Sequence, residues 1–193
     1  MSNSIYLVLD MMNDLVHADG PNGNAPYGEQ ARERNIVANT RKAIDKARAA
    51  GIPVGFVRVG FSPDYRECPE SSPIFSGAKK MDIFKLGEWG TETHPDLDQR
   101  PEDFDIVKHR VSPFYSTTLE AMLSANGITR IYCSGISTNA VVQATVRDGH
   151  DRDYGVIVLE DCCCGLSAKE HDIAMESFKR FCTITNSSDV VFE

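Results

Sequence analysis

Ile5-Tyr6-Leu7-Val8-Leu9-Asp10-Met11-Met12-Asn13-Asp14 is the stretch that decides the fold. Five apolar residues follow one another without the in–out alternation of a strand that has one wet face. A run this short, closed by a carboxylate, reads as a parallel strand buried on both faces. Downstream, Ile36, Thr40, Ala43, Ile44 and Ala47 recur at helical spacing, which predicts a helix from about Glu29 to Ala50. Gly51 stops it and Pro53 forbids its continuation. Val54 to Val59 reads as a second strand, and Phe104 to Val107 as a third with Lys108 at its carboxyl end. Thr117-x-x-Glu120 matches a capping box and opens a helix that closes at Gly127. Arg130 to Ser134 is a fourth strand, followed by Gly135 and a helix from about Asn139 to His150. Tyr154 to Leu159 is a fifth. Ser167-x-x-Glu170 caps a helix to about Phe181, and a short last strand is expected at Thr183-Ile184-Thr185. Strands alternating with helices imply right-handed βαβ units. The expectation is a three-layer α/β/α, Rossmann-like domain over residues 1–193, with a mostly parallel six-stranded sheet.

Composition narrows the function. At 193 residues a core of useful size forms without disulfides or metals. The formal charge of −8, with no Lys/Arg cluster, disfavours a phosphate backbone or an anionic membrane as partner. No apolar run approaches the roughly 20 residues needed to span a bilayer. Met1-Ser2-Asn3-Ser4 lacks a basic n-region and an apolar h-region, so a cytoplasmic protein with reduced thiols is expected. The expected partner is a small-molecule substrate, with the chain forming a homo-oligomer, a dimer or tetramer. Cys162-Cys163-Cys164 matches zinc-site spacing only weakly, because three adjacent side chains diverge. No metal and no cofactor are expected.

In open parallel sheets ligands bind beyond the carboxyl ends of the strands, where the strand order reverses. Asp10, Arg58, Lys108 and the Gly135-Ile136-Ser137-Thr138-Asn139 turn occupy such ends. Burial would raise the Asp10 pKa and a nearby cation would lower it; taken alone, Asp10 reads equally as a turn cap. A lysine ending a buried strand is costly unless paired. Asp10 is its natural partner if strands one and three end in one crevice; otherwise Lys108 is solvated beside His109 and Arg110. The turn after strand four offers backbone N–H groups to an oxyanion or polar atom, or is an ordinary helix cap. It lacks the glycines of a dinucleotide fingerprint. The irregular residues 60–102 suit a lid or binding loop.

Three blocks, in order, carry a resemblance: Leu7-Val8-Leu9-Asp10-Met11-Met12-Asn13-Asp14, Val107-Lys108-His109-Arg110-Val111-Ser112-Pro113-Phe114-Tyr115 and Gly135-Ile136-Ser137-Thr138-Asn139-Ala140-Val141-Val142. Together they resemble the isochorismatase-like, or cysteine hydrolase, superfamily. The resemblance implies an isochorismatase-like hydrolase fold, a catalytic Asp10–Lys108 pair and a cis peptide between Ile136 and Ser137. The amidases of that superfamily attack a carbonyl with a cysteine, which falls here at Val141. Valine offers no nucleophile, and rescue would have to come from Cys133 or Cys162 to Cys164. The nicotinamidase metal motif has no counterpart, since His94 stands alone in the long loop. Isochorismatases also dispense with the cysteine. The resemblance implies that their aspartic acid protonates a vinyl ether carbon and water adds to the cation. They differ in carrying Tyr-Ala-His where this chain has Ser137-Thr138-Asn139.

The resulting expectation is a hydrolase for a small, carboxylated metabolite with a vinyl ether or related bond. Asp10 would be the general acid and Lys108 would position it. The amides near Ser137, Thr138 and Asn139 would hold a polar group, and Arg58 would pair with a carboxylate. Phe61, Tyr65, Phe84, Trp89, Phe114 and Tyr115 are candidate walls, of which two or three are expected to serve. The rivals are a catalytically decayed binding or assembly relative, and an amidase with an unrecognised nucleophile. A cavity filled by Val141 would favour decay; an enclosed cavity over a paired Asp10 and Lys108 would favour an enzyme.

Overall fold

The computed structural model describes residues 3–193, so Met1 and Ser2, on which part of the expectation of no leader rests, lie outside it. β1 (Ser4–Leu9) is buried along its whole length, as an unbroken apolar run requires. Ile5, Leu7 and Leu9 enter one core, and Tyr6 and Val8 enter the other. There follow α1 (Asn13–Val16), α2 (Pro26–Glu33), α3 (Ile36–Ala49), β2 (Val54–Val59), α4 (Ala78–Met81), β3 (Phe104–Lys108) and α5 (Leu119–Ala125). The chain ends with β4 (Arg130–Gly135), α6 (Gln143–His150), β5 (Gly155–Leu159), α7 (Ala168–Phe178) and β6 (Thr183–Thr185). Among the described residues the sheet has six strands in the order β3-β2-β1-β4-β5-β6, and every pairing is parallel. On one face Ile36, Ala43, Ile44 and Ala47 of α3 cover Tyr6, Val8 and Phe56. On the other, Leu119 and Leu123 of α5, Val146 of α6 and Met175 and Phe178 of α7 cover Ile5, Leu7 and Ile131. The three-layer α/β/α architecture is the one expected, with a wholly rather than mostly parallel sheet.

Local departures have local causes. The single helix expected from Glu29 is two, because Asn35 takes a left-handed conformation at φ 53°. Asparagine tolerates that conformation better than most residues. The break frees Arg34 to reach Glu160 and the Cys163 carbonyl. Thr117 accepts from the Leu119 amide at 3.1 Å, but Glu120 pairs with Arg152 instead of closing the box. Ser167 caps α7 as expected, accepting from the Glu170 amide at 3.2 Å. The helix expected from Asn139 begins as a π turn, Thr138–Val142, before α6. Residues 60–102 are irregular but have a small core of their own, where Phe61, Tyr65, Phe75, Ala78, Ile83 and Phe84 pack on Met12 and Val59. Among the described residues no helix is long and apolar enough to cross a membrane.

β1 and β4 close tightly at their carboxyl ends. Gly135 has φ 149°, and a Cβ there would stand 2.0 Å from the Leu9 carbonyl oxygen. Gly135→Ala is expected to lower stability by at least about 2 kcal/mol in urea melts. Gly51→Ala is the comparison: its φ of +70° is also positive but nothing lies within 4 Å. It should cost only about 1 kcal/mol, and equal losses would contradict the close-approach account.

Candidate active site

The strand order reverses at β1, so the crevice lies beyond the carboxyl ends of β1 and β4. Asp10 follows β1 in a left-handed conformation, φ 55°, with its amide bonded to the Val57 carbonyl at 2.8 Å. Lys108, the last residue of β3, crosses the end of β2 and places Nζ 2.8 Å from Asp10 Oδ2. The Lys108 and Asp10 side chains are 2% and 7% exposed. Lys108 Nζ also donates to the Arg110 carbonyl at 3.1 Å. Asp10 Oδ1 is buried and takes no hydrogen bond from the described residues. Burial pushes the Asp10 carboxyl above its ordinary value; the Lys108 charge and hydrogen bond, then the Val59 amide, oppose this without cancelling it.

The pair lines a cavity of about 170 Å³. Ser137 and Val141 from the turn after β4 share it, with Asn22, Tyr27, Phe75, Ile83, Phe84 and Val111 among the walls. The Ile136–Ser137 peptide is cis, as the resemblance implied. Val141 is 1% exposed and leaves the cavity open above it. No cysteine is among the lining residues. Cys163 packs into one core and Cys162 and Cys164 into the other, so the three adjacent thiols do diverge. Burial pushes the thiols of Cys133, Cys162 and Cys163 far up and that of Cys164 to about 12.

The turn's own groups face several ways. The Thr138 amide donates to the Cys164 carbonyl at 2.9 Å, which commits it to the protein. The Thr138 hydroxyl meets His171 Nδ1 at 2.8 Å, and His171 Nε2 meets Glu160 Oε1 at 2.7 Å. Glu160 also receives Arg34, and these contacts, His171 first, hold its carboxyl at about 2. Asn139 turns outward to Glu170 at 3.1 Å. Arg58 is committed elsewhere: a two-pronged bond to Asp105 at 2.8 and 2.6 Å and a third to the Thr91 carbonyl. Phe114 lies in a main core against Tyr154. Tyr115 is 61% exposed, and Trp89 meets the edge of His17 at the surface. Of the six candidate walls Phe84 lines the cavity, while Phe61 and Tyr65 sit in the small core with it. His94 is the lone histidine of residues 60–102, and the His17 ring from the end of α1 lies 5.1 Å from it. Asn22, Phe75 and Ile83 went unread, because they come from irregular segments with no periodicity to mark them, and Tyr27 because the helix was expected to begin only at about Glu29. The clearest missed signal is Pro26-Tyr27-Gly28, where Pro starts α2 and Tyr27 joins Ser137 in lining the cavity.

A family model, Isochorismatase domain, matches residues 4–189. The chain belongs to the isochorismatase family. It is a hydrolase by that membership. Among the relatives of this isochorismatase-family hydrolase is Ureidoacrylate amidohydrolase RutB of Yersinia enterocolitica. The two are 33% identical over 172 residues, 83% of this chain and 74% of the relative. An uncharacterised isochorismatase family protein, YecD, of Escherichia coli O157:H7 is 35% identical over 82% of each chain. The fold matches a cysteine hydrolase from Pseudomonas syringae pv. phaseolicola with a TM-score of 0.86 at 22% identity, over 98% of this chain and 92% of that one. N-carbamoylsarcosine amidase from Thermoplasma acidophilum gives 0.74 at 25% identity, over 97% and 98%.

Breaking a buried pair leaves an uncompensated charge. Lys108→Met is therefore expected to cost about 3–5 kcal/mol at pH 7. Adding Asp10→Asn should recover part of that loss. Urea melts of both single variants and the double variant test this; strictly additive costs would show that the two groups do not act as a unit.

Proposed function

We propose that this isochorismatase-family hydrolase cleaves a small, carboxylated metabolite by acid catalysis from Asp10, with water in place of a thiol as nucleophile. The observation that carries this is the buried Asp10–Lys108 pair beside an open cavity lined by Val141, where the resemblance puts the cysteine of the amidases, and by no cysteine among the described residues. Vinyl ether cleavage needs what such a site can supply. A proton passes from the Asp10 carboxyl to the vinyl carbon. Water then adds to the resulting oxocarbenium-like cation and returns a proton to the Asp10 carboxylate, and the C–O bond of the hemiacetal breaks to leave a carbonyl product and an alcohol. Lys108 holds the Asp10 carboxyl in place, and its carboxylate, once formed, faces the cation. Apolar walls such as Val59, Phe84 and Val111 strengthen these electrostatic effects by excluding water.

The names of the RutB relatives favour a second reading, amide hydrolysis. Without the cysteine, Asp10 would have to act as a base on water. The two readings require opposite protonation states of one carboxyl. As an acid, Asp10 works below its raised pKa, and kcat falls as pH rises through that value. As a base it works above, and kcat falls as pH drops through it. Purified protein screened against isochorismate, simple vinyl ethers and small ureido or carbamoyl amides, with a pH profile on any substrate found, separates them. On the proposed reading Asp10→Asn lowers kcat by at least about 10²-fold. Near-full activity in that variant would move the chemistry away from Asp10.

A further inference from the structure

Lys108 is the single Lys or Arg among the residues lining the cavity. The arginine expected to receive a carboxylate, Arg58, is spent on Asp105 and the Thr91 carbonyl. Arg110 turns its guanidinium to the carbonyls of Glu67 and His109. In the resting site Lys108 is balanced by Asp10 alone, and the cavity is close to neutral. An acid catalyst in that arrangement poses a difficulty: a carboxylate paired to an ammonium holds no proton to give.

We propose that a carboxylate of the substrate docks on Lys108 and that its arrival makes Asp10 take up the proton it then donates. The inference rests on the reading of Asp10 as the acid. Two carboxylates beside one buried ammonium leave an excess negative charge, and the least costly relief is to protonate one of them. A docked carboxylate with a neutral Asp10 restores the balance: one ammonium, one carboxylate, one carboxylic acid. The proton comes from solvent and lands on Asp10. Oδ1 is the vacant acceptor, being buried without a partner, while Oδ2 is held by Lys108. Few other groups compete. From α2, Tyr27 faces Ser137. Asp14, at α1, bonds the Phe84 amide at 2.6 Å and borders a separate cavity with Asp82, Lys85 and Glu88. The ends of β2 and β4 add Val59 and Ile136, whose side chains carry no charge, although the Val59 amide favours the Asp10 carboxylate and is outweighed by burial. Phe75, Ile83 and Phe84 suit an apolar body behind the carboxylate. The ligand class is therefore a small monocarboxylate with an apolar body.

Titration calorimetry with benzoate, and with benzamide as its uncharged counterpart, tests this without any turnover. Benzoate should bind in preference to benzamide. Runs in buffers of different ionisation heat should show uptake approaching one proton per benzoate at pH 8. Benzoate affinity should weaken about tenfold per pH unit above the Asp10 pKa. Asp10→Asn should bind benzoate at least about tenfold more tightly at pH 8, with no uptake, because the competing anion is gone; Lys108→Met should lose benzoate binding. The proposal is overturned if benzoate does not bind, if benzamide binds equally well, or if benzoate binds wild-type protein without proton uptake. Should Asp10→Asn not fold, the wild-type buffer series decides alone. Proton-coupled benzoate binding in a protein inactive on vinyl ethers would sink the acid-catalysis reading and leave the docking step standing. Asp10-dependent hydrolysis without such uptake would sink the docking step alone.

Discussion

The buried ion pair between Asp10 and Lys108 is the constraint around which the rest of the crevice is arranged. An ammonium and a carboxylate taken out of water lose more than they regain unless their geometry is close. That geometry, 2.8 Å between charged atoms, requires β1 and β3 to end level with each other across β2. The parallel register supplies it, pairing Val59 of β2 with Lys108 and Leu9 of β1 with Val57. The left-handed turn at Asp10 then aims the carboxylate across the sheet end, not along the chain.

Behind the cavity a second polar system holds the other wall. Thr138, His171, Glu160 and Arg34 form one chain of contacts, from the turn after β4, through α7 and the end of β5, to the end of α2. Each buried polar group in it has a partner, which is the condition under which such a network rigidifies its surroundings. The groups that a motif reader would assign to a ligand are thus partly structural. The Thr138 amide and hydroxyl brace the turn, and what the turn presents to the cavity is Ser137, Ala140 and Val141.

Much of the fold was legible because its signals are local. β1 declares itself by five apolar residues and a closing acid, and Ser167 caps α7 as its spacing suggests. The split at Asn35 was not legible, since one left-handed residue inside a periodic run leaves no trace in the period. The site divides the same way. Asp10 and Lys108 stand at strand ends, and parallel topology alone makes those ends converge. Arg58 lies near a strand end too, but its neighbour across the ladder is Val107, which puts Asp105 within reach of the guanidinium. No pattern within β2 reveals that partner. Tyr27 from α2 and Phe75 and Ile83 from the irregular residues 60–102 reach the cavity through contacts between segments distant in sequence, whereas Phe84 was among the expected walls.

Valine at position 141 also alters how the protein ages. A nucleophilic thiolate is the group most readily carried up the oxidation ladder to sulfenic and sulfinic acids, and those lesions silence an enzyme that depends on it. Here the cysteine sulfurs sit apart from the cavity lining, where sulfur is present only as the Met81 thioether; four of the six cysteines are buried, and burial holds even the half-exposed Cys68 and Cys182 toward the thiol form. Peroxide therefore finds little thiolate to attack and none in the cavity lining. On the proposed chemistry the working groups are a carboxyl and an ammonium, neither of which peroxide consumes.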